Sequence, residues 1–136
     1  MAVARSAKVF FDTTVLLESV QSGPQVKDAD RILHAHAGRA CTSALTVHFV
    51  MSLGLQLFSA QVLRQFLAEF SVISVGSNDV AWAFSNMKKN DFANALQLAA
   101  AIREGCEVFY TFDEGVYRLY RSLPHIRVTL LGQEKC

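Results

Sequence analysis

Asp12, Asp91, Asn94 and Asp113 are the residues through which this sequence can do chemistry. Asp12 closes the short apolar run KVFF and Asp113 follows the apolar run CEVFYT. Both runs read as strands, and open parallel sheets place their ligands at the carboxyl ends of their strands. Asp91 and Asn94 open a helical stretch one turn apart, on the same side of it. If these elements are neighbours, three carboxylates converge. Clustered carboxylates do not all stay ionised in a dry pocket without a cation. Oxygen ligands select hard divalent ions, Mg²⁺ or Mn²⁺. Such an ion activates water and stabilises charge developing on a phosphodiester. The same aspartates also have a plainer use, because Asp is a favoured helix N-cap and a βα chain starts a helix after nearly every strand.

The stretch DFANALQLAAAIREGCEVFYTFDEG (Asp91 to Gly115) predicts a helix, a glycine stop at Gly105 and a strand covered on both faces. Along its helix Asn94, Gln97, Ala101 and Glu104 form a narrow polar stripe, and apolar residues cover nearly everything else. Before it, the pattern predicts a strand at Lys8–Phe11 and a helix from Thr13. A break at Ser22–Pro24, a helix over 25–37 ended by Gly38, and a strand at Ala40–Thr42 follow. Ser43 caps a long uncharged helix that contains His48. Gln61–Phe70 is amphipathic, with Val62, Phe66 and Phe70 on one face. Ser71–Val75 is a strand, and 78–88 is a helix around Val80, Trp82, Phe84 and Met87, with Trp82 and Phe84 packed in the core. A helix over 114–121, a break at Pro124 and the strand IRVTLL close the chain. Strands alternating with helices indicate an α/β fold with a mostly parallel sheet.

The chain has 136 residues, 51% hydrophobic and 18% charged, which suits one domain with a real core. Its net charge of +1 argues neither for nor against a nucleic-acid partner. Cys41, Cys106 and Cys136 are odd in number and form no C-x-x-C, so a reduced, cytoplasmic protein is expected. Arg5 and Lys8 interrupt any signal-peptide pattern at the start. Ala40 to Leu63 lacks Asp, Glu, Lys and Arg, but its Ser, Thr, Gln and His residues would be costly in a membrane, and a buried helix followed by a turn fits better.

The order of these motifs resembles the PIN domain, the metal-dependent nuclease fold of the VapC toxins of toxin–antitoxin pairs. The resemblance runs from Lys8 to about Leu131. It rests on FFDTTVLLES, CTSALTVHFV, the Asp91–Gly115 unit and the terminal strand. It implies a single PIN-like domain over 1–136, a three-layer sandwich whose parallel five-stranded sheet carries helices on both faces. Asp12 matches the first family acid and Asp113 the last, and Asp91 matches an extra acid found in many members. His48 stands where the family usually has Glu, Asn94 where it has Asp, and Thr14 where it commonly has Asn or Ser. The resemblance implies a metal-dependent endoribonuclease, with Asp12, Asp91 and Asp113 as catalytic ligands of Mg²⁺ or Mn²⁺. Asn94 would assist them, and His48 would be a variant ligand or a histidine of a helix packing face. Lys88, Lys89, Arg118 and Arg121 would meet RNA phosphates. An antitoxin over an apolar groove and a second copy of the chain are the implied partners. The alternative is a PIN scaffold that binds RNA or protein without cutting it, and a metal titration separates the two.

Overall fold

The computed structural model describes residues 7–132, so Arg5 and Cys136 lie outside the described residues. In chain order the elements are β1 (Val9–Phe11), α1 (Thr13–Gln21), α2 (Val26–Ala35), β2 (Ala40–Ser43), α3 (Ala44–Gly54) and α4 (Ala60–Leu67). They continue with β3 (Ser71–Ile73), α5 (Ser77–Asn86), α6 (Phe92–Arg103), β4 (Val108–Thr111), α7 (Glu114–Tyr120) and β5 (Arg127–Leu130). The five strands form one parallel sheet in the order β3-β2-β1-β4-β5.

The strands divide their side chains between two apolar layers. From β1, Phe10 enters the layer built by α5, α6 and α7, whereas Val9 and Phe11 enter the layer built by α1 to α4. In β4, Phe109 and Val108 divide the same way, and the Phe10 and Phe109 rings stack at 5.1 Å across the register pair. Burying each such side chain contributes roughly 1.5–3 kcal/mol. A sheet covered on both faces explains why these runs are apolar without alternation.

Three faces differ from expectation. Gln97 and Ala101 of the polar α6 stripe are buried, Gln97 against the Ser43 and Thr46 hydroxyls and Ala101 within the apolar layer. In α4 the buried residues are Leu63 and Leu67, and Val62 is exposed. Phe84 on α5 is 66% exposed, its ring resting against Phe92 at 5.2 Å, whereas Trp82 packs against the core. α5 is held to α6 by an ion pair. Arg103 donates from Nε and Nη2 to the buried Asp79 carboxylate at 3.0 and 2.9 Å. Its Nη2 also donates to the Ser74 carbonyl at 2.7 Å.

No helix among the described residues is long and apolar enough to cross a membrane.

Candidate active site

β1 and β4 are adjacent central strands, so their carboxyl ends bring Asp12 beside Thr111 and Asp113. The Asp12 backbone N–H extends the ladder to the Tyr110 carbonyl at 3.1 Å, and its side chain then caps α1. Both carboxylate oxygens are engaged. Oδ1 accepts from the Thr14 N–H at 2.9 Å, the Thr14 hydroxyl at 2.5 Å and the Val15 N–H at 3.3 Å. Oδ2 accepts from the Thr111 hydroxyl at 2.6 Å. Thr14 Oγ1 in turn accepts from the Phe112 N–H at 2.9 Å, and Thr111 Oγ1 from the Asp113 N–H at 3.0 Å. Asp12 is only 1% exposed. Burial raises its pKa from 3.8 to about 6, against the lowering effect of the bonds from Thr111, Thr14 and Val15.

Asp113 is exposed and caps α7 through the Val116 N–H at 3.2 Å. Asp91 caps α6, and the Asn94 amide turns both its donor contacts onto the Asp91 carboxylate, at 3.1 and 3.2 Å. Asn94 therefore spends its side-chain donor on its neighbour. The buried Tyr120 hydroxyl donates to the Asp91 carbonyl at 3.3 Å and accepts from the Lys88 N–H at 3.1 Å. This docks the 88–91 turn on the last residue of α7, while Asp113 stands before its first.

A second polar group fills the space between β2, α1, α3 and α6. Gln97 Oε1 accepts from the Ser43 hydroxyl at 2.8 Å and the Thr46 hydroxyl at 2.5 Å. Its Nε2 donates to Thr13 Oγ1 at 3.4 Å, and the Thr13 and Thr46 hydroxyls meet at 2.9 Å. Among the described residues no buried side-chain nitrogen or oxygen lacks a partner. The network is neutral and closed. Its hydroxyls and carboxamide were not singled out as site residues from the sequence. The signals for them were Thr13–Thr14 directly after Asp12, Thr111 two residues before Asp113, and Gln97 one turn beyond Asn94.

The structure does not bring His48 to this place. A helix turns about 100° per residue, so His48, two positions after the inward Thr46, stands about 200° around α3 from it. It is exposed, with its ring 5.6 Å from that of Phe49. Lys88, Lys89, Arg118 and Arg121 are all exposed. Arg118 pairs with Glu114 on α7, and the Arg121 guanidinium lies 5.8 Å over the Tyr117 ring.

Among the described residues no group of three or more His, Cys, Asp and Glu side chains is placed to hold a metal ion. Asp12 and Asp113 follow adjacent strands, and Asp91 heads α6 on the turn that docks on Tyr120. Mg²⁺ takes about six oxygen ligands, usually one or two carboxylates with waters and substrate phosphates. Here the one buried carboxylate has its charge answered by two hydroxyls and two N–H groups, and the ring beside it is uncharged. A divalent ion would find here the buried, hydrogen-bonded Asp12 and the exposed Asp113 beside it.

Solved structures share this fold. A toxin–antitoxin complex from Klebsiella pneumoniae aligns with a TM-score of 0.72 at 24% identity, over 90% of this chain and 96% of that one. A DNA-bound VapBC from Salmonella typhimurium aligns with a TM-score of 0.67 at 15% identity, over 90% and 97%. VapC20 of Mycobacterium tuberculosis, described as a sarcin–ricin loop cleaving toxin, aligns with a TM-score of 0.67 at 17% identity, over 82% and 94%. No curated protein is significantly similar in sequence. The PIN domain profile matches residues 9–122, most of the chain, and together with the five-stranded parallel sheet it shows that the protein belongs to the PIN domain family.

Proposed function

We propose that this chain is a VapC-like PIN protein, the toxin-type member of a toxin–antitoxin pair, whose hydrolytic centre is impaired and which acts by binding. The observation that carries the reading is the closure of Asp12. The family's first acid is buried and bonded at both oxygens by hydroxyl and N–H groups, and among the described residues no group of three His, Cys, Asp or Glu is placed to hold a metal. RNA is the proposed nucleic-acid partner, in the cytoplasm. Lys88 and Lys89 offer it a basic rim where the 88–91 turn docks on α7, and Arg118 and Arg121 extend that rim along the helix. An antitoxin segment fits the apolar groove between α2 and α4, which is lined by Leu33, Ala37, Phe66 and Phe70. A second copy fits the exposed apolar surface of Phe49, Leu53, Leu57, Phe58 and Val62 on α3, α4 and their connection.

The second reading is a metal-dependent endoribonuclease, with Asp12, Asp91 and Asp113 as ligands and Asn94 assisting. It is favoured by the adjacency of Asp12 and Asp113 through Thr111. One experiment separates the two. Single-stranded RNA is incubated with the protein in EDTA, Mg²⁺ or Mn²⁺, following both retention and chain cleavage, with thermal unfolding recorded in each condition. The binding reading expects retention in all three, no cleavage, and no metal-dependent rise in Tm. Cleavage that needs Mn²⁺ or Mg²⁺ and disappears in Asp12→Asn or Asp113→Asn overturns it in favour of the nuclease.

A further inference from the structure

β5 is the last strand of the sheet, and nothing among the described residues pairs with its outer side. Its inner side is fixed by the Arg127 N–H donating to the Glu107 carbonyl at 3.1 Å and the Leu131 N–H donating to the Thr111 carbonyl at 2.8 Å. A parallel strand alternates its backbone direction residue by residue. Val128 and Leu130 therefore turn their N–H and C=O groups outward, toward the free edge. A groove lined by Tyr117, Arg121, Arg127, Val128, Thr129 and Leu130 runs beside that edge.

The charge of this groove is one-sided. Arg121 and Arg127 are exposed, and neither has a carboxylate partner among the described residues. No Asp or Glu lines the groove. Glu114 pairs with Arg118 and Asp28 with Arg31, and Glu107 lines the adjoining groove, which Arg121, Arg127 and His125 also border. Arg121 is steadied by the Tyr117 ring beneath it. A charged edge residue such as Arg127 also discourages strand-to-strand association between copies of the chain, because like charges would meet. That repulsion disfavours a second copy here. A partner with the opposite charge faces no such barrier.

We propose that the outer edge of β5 is a docking site for an extended acidic segment of a protein partner. The segment adds a strand to the sheet through the outward groups of Val128 and Leu130, and its carboxylates meet Arg121 and Arg127. Backbone pairing supplies the affinity and the arginines supply the selection. RNA is the less favoured occupant, since a phosphate backbone uses the arginines but has no use for the strand edge. The site is independent of the carboxyl-end network and stands whether or not that centre cleaves RNA.

The test uses the full chain and a fluorescein-labelled, terminally blocked hexapeptide of alternating Glu and Val. Its Lys–Val counterpart, a backbone N-methylated Glu–Val version and a short oligouridine serve as comparisons. The Glu–Val peptide is expected to bind at least tenfold more tightly than the Lys–Val and N-methylated ones, and to slow exchange of the Val128 and Leu130 amides. Arg121→Glu with Arg127→Glu, both surface changes, should reverse the charge preference and so select the Lys–Val peptide. Equal binding of acidic and basic peptides, no binding of either, or unprotected Val128 and Leu130 amides overturns the proposal. It falls equally if the double variant loses only oligouridine binding, because the groove would then be a nucleic-acid track.

Discussion

Asp12→Asn isolates the electrostatic state of the PIN core. Burial raises the Asp12 pKa from 3.8 to about 6, so the folded chain binds its proton more tightly than the unfolded chain does. Where the native state holds more protons, stability falls as pH rises. The contribution of this group is therefore greatest below about pH 4, declines through the window up to about pH 6, and stays lost above it. A shift of about two units corresponds to about 3 kcal/mol, with roughly half of it already present near pH 5. Asparagine has the shape of the protonated acid. It keeps an oxygen for Thr14 and Val15 and presents a donor to Thr111, without the charge. Urea unfolding of both proteins in EDTA should give similar stabilities near pH 4. Near pH 7.5 the variant should be the more stable by up to about 3 kcal/mol. Other titrating groups are common to both proteins and cancel in the difference. A variant less stable than the parent at neutral pH would refute the reasoning, because the carboxylate would then sit in a field that favours its charge.

Three further perturbations test the surrounding structure. Gln97→Leu leaves the Ser43 and Thr46 hydroxyls without their buried acceptor and should cost about 2–3 kcal/mol in denaturant unfolding; an unchanged midpoint would mean that water satisfies them. Arg103→Ala strands the buried Asp79 carboxylate, at a cost of about 3 kcal/mol. Arg103 holds Asp79 below its ordinary pKa of 3.8, so the pair's stability is present above that range and is lost as pH falls through it, a dependence the variant should lack. Asn94→Asp combined with Phe49→Glu should create Mn²⁺-dependent thermal stabilisation, whereas Asn94→Asp with His48→Glu should not. Phe49 lies only about 60° around α3 from Thr46, one turn on, and the opposite ranking would refute this placement.

The fold was legible because the central strands β1 and β4 are buried on two sides and must be apolar on both. VFF and EVFYT carry that signature, and Gly105, with φ of 78°, stops α6 where the sequence places the stop. The faces of the shorter helices were less legible. In α4 the residue types at Val62 and Leu63 are interchangeable by pattern, and it is Leu63, packed close against Gly54, that the core encloses. Phe84 shows the same limit, since an aromatic at helical spacing says nothing about whether a neighbouring helix covers it. At the site, Asp12 and Asp113 were legible through their place after adjacent strands. Gln97 was not, because a polar stripe on a helix reads as a solvent face unless the sheet end it meets is already known.

That ambiguity bears on what the site became. In an acidic centre each carboxylate repels the others, and a bound cation relieves the repulsion. In this chain the positions around Asp12 instead form hydrogen-bonded pairs that need nothing from solution: Thr14 and Thr111 on the carboxylate, and Ser43, Thr46 and Thr13 on Gln97. Each hydroxyl donates once and accepts from a neighbour, so removing any one member leaves an unmet group in a buried place. Such a network holds the carboxyl ends of β1, β2 and β4 together in the absence of metal. It also opposes metal entry, since Asp12 is buried and already accepts four bonds, three at Oδ1 and one from Thr111 at Oδ2. Adding acids at the rim therefore restores a cation site only in part. Loosening Thr14 or Thr111 should carry it further, so Thr111→Ala in the Phe49→Glu, Asn94→Asp background should strengthen Mn²⁺ stabilisation even as it weakens the apo fold.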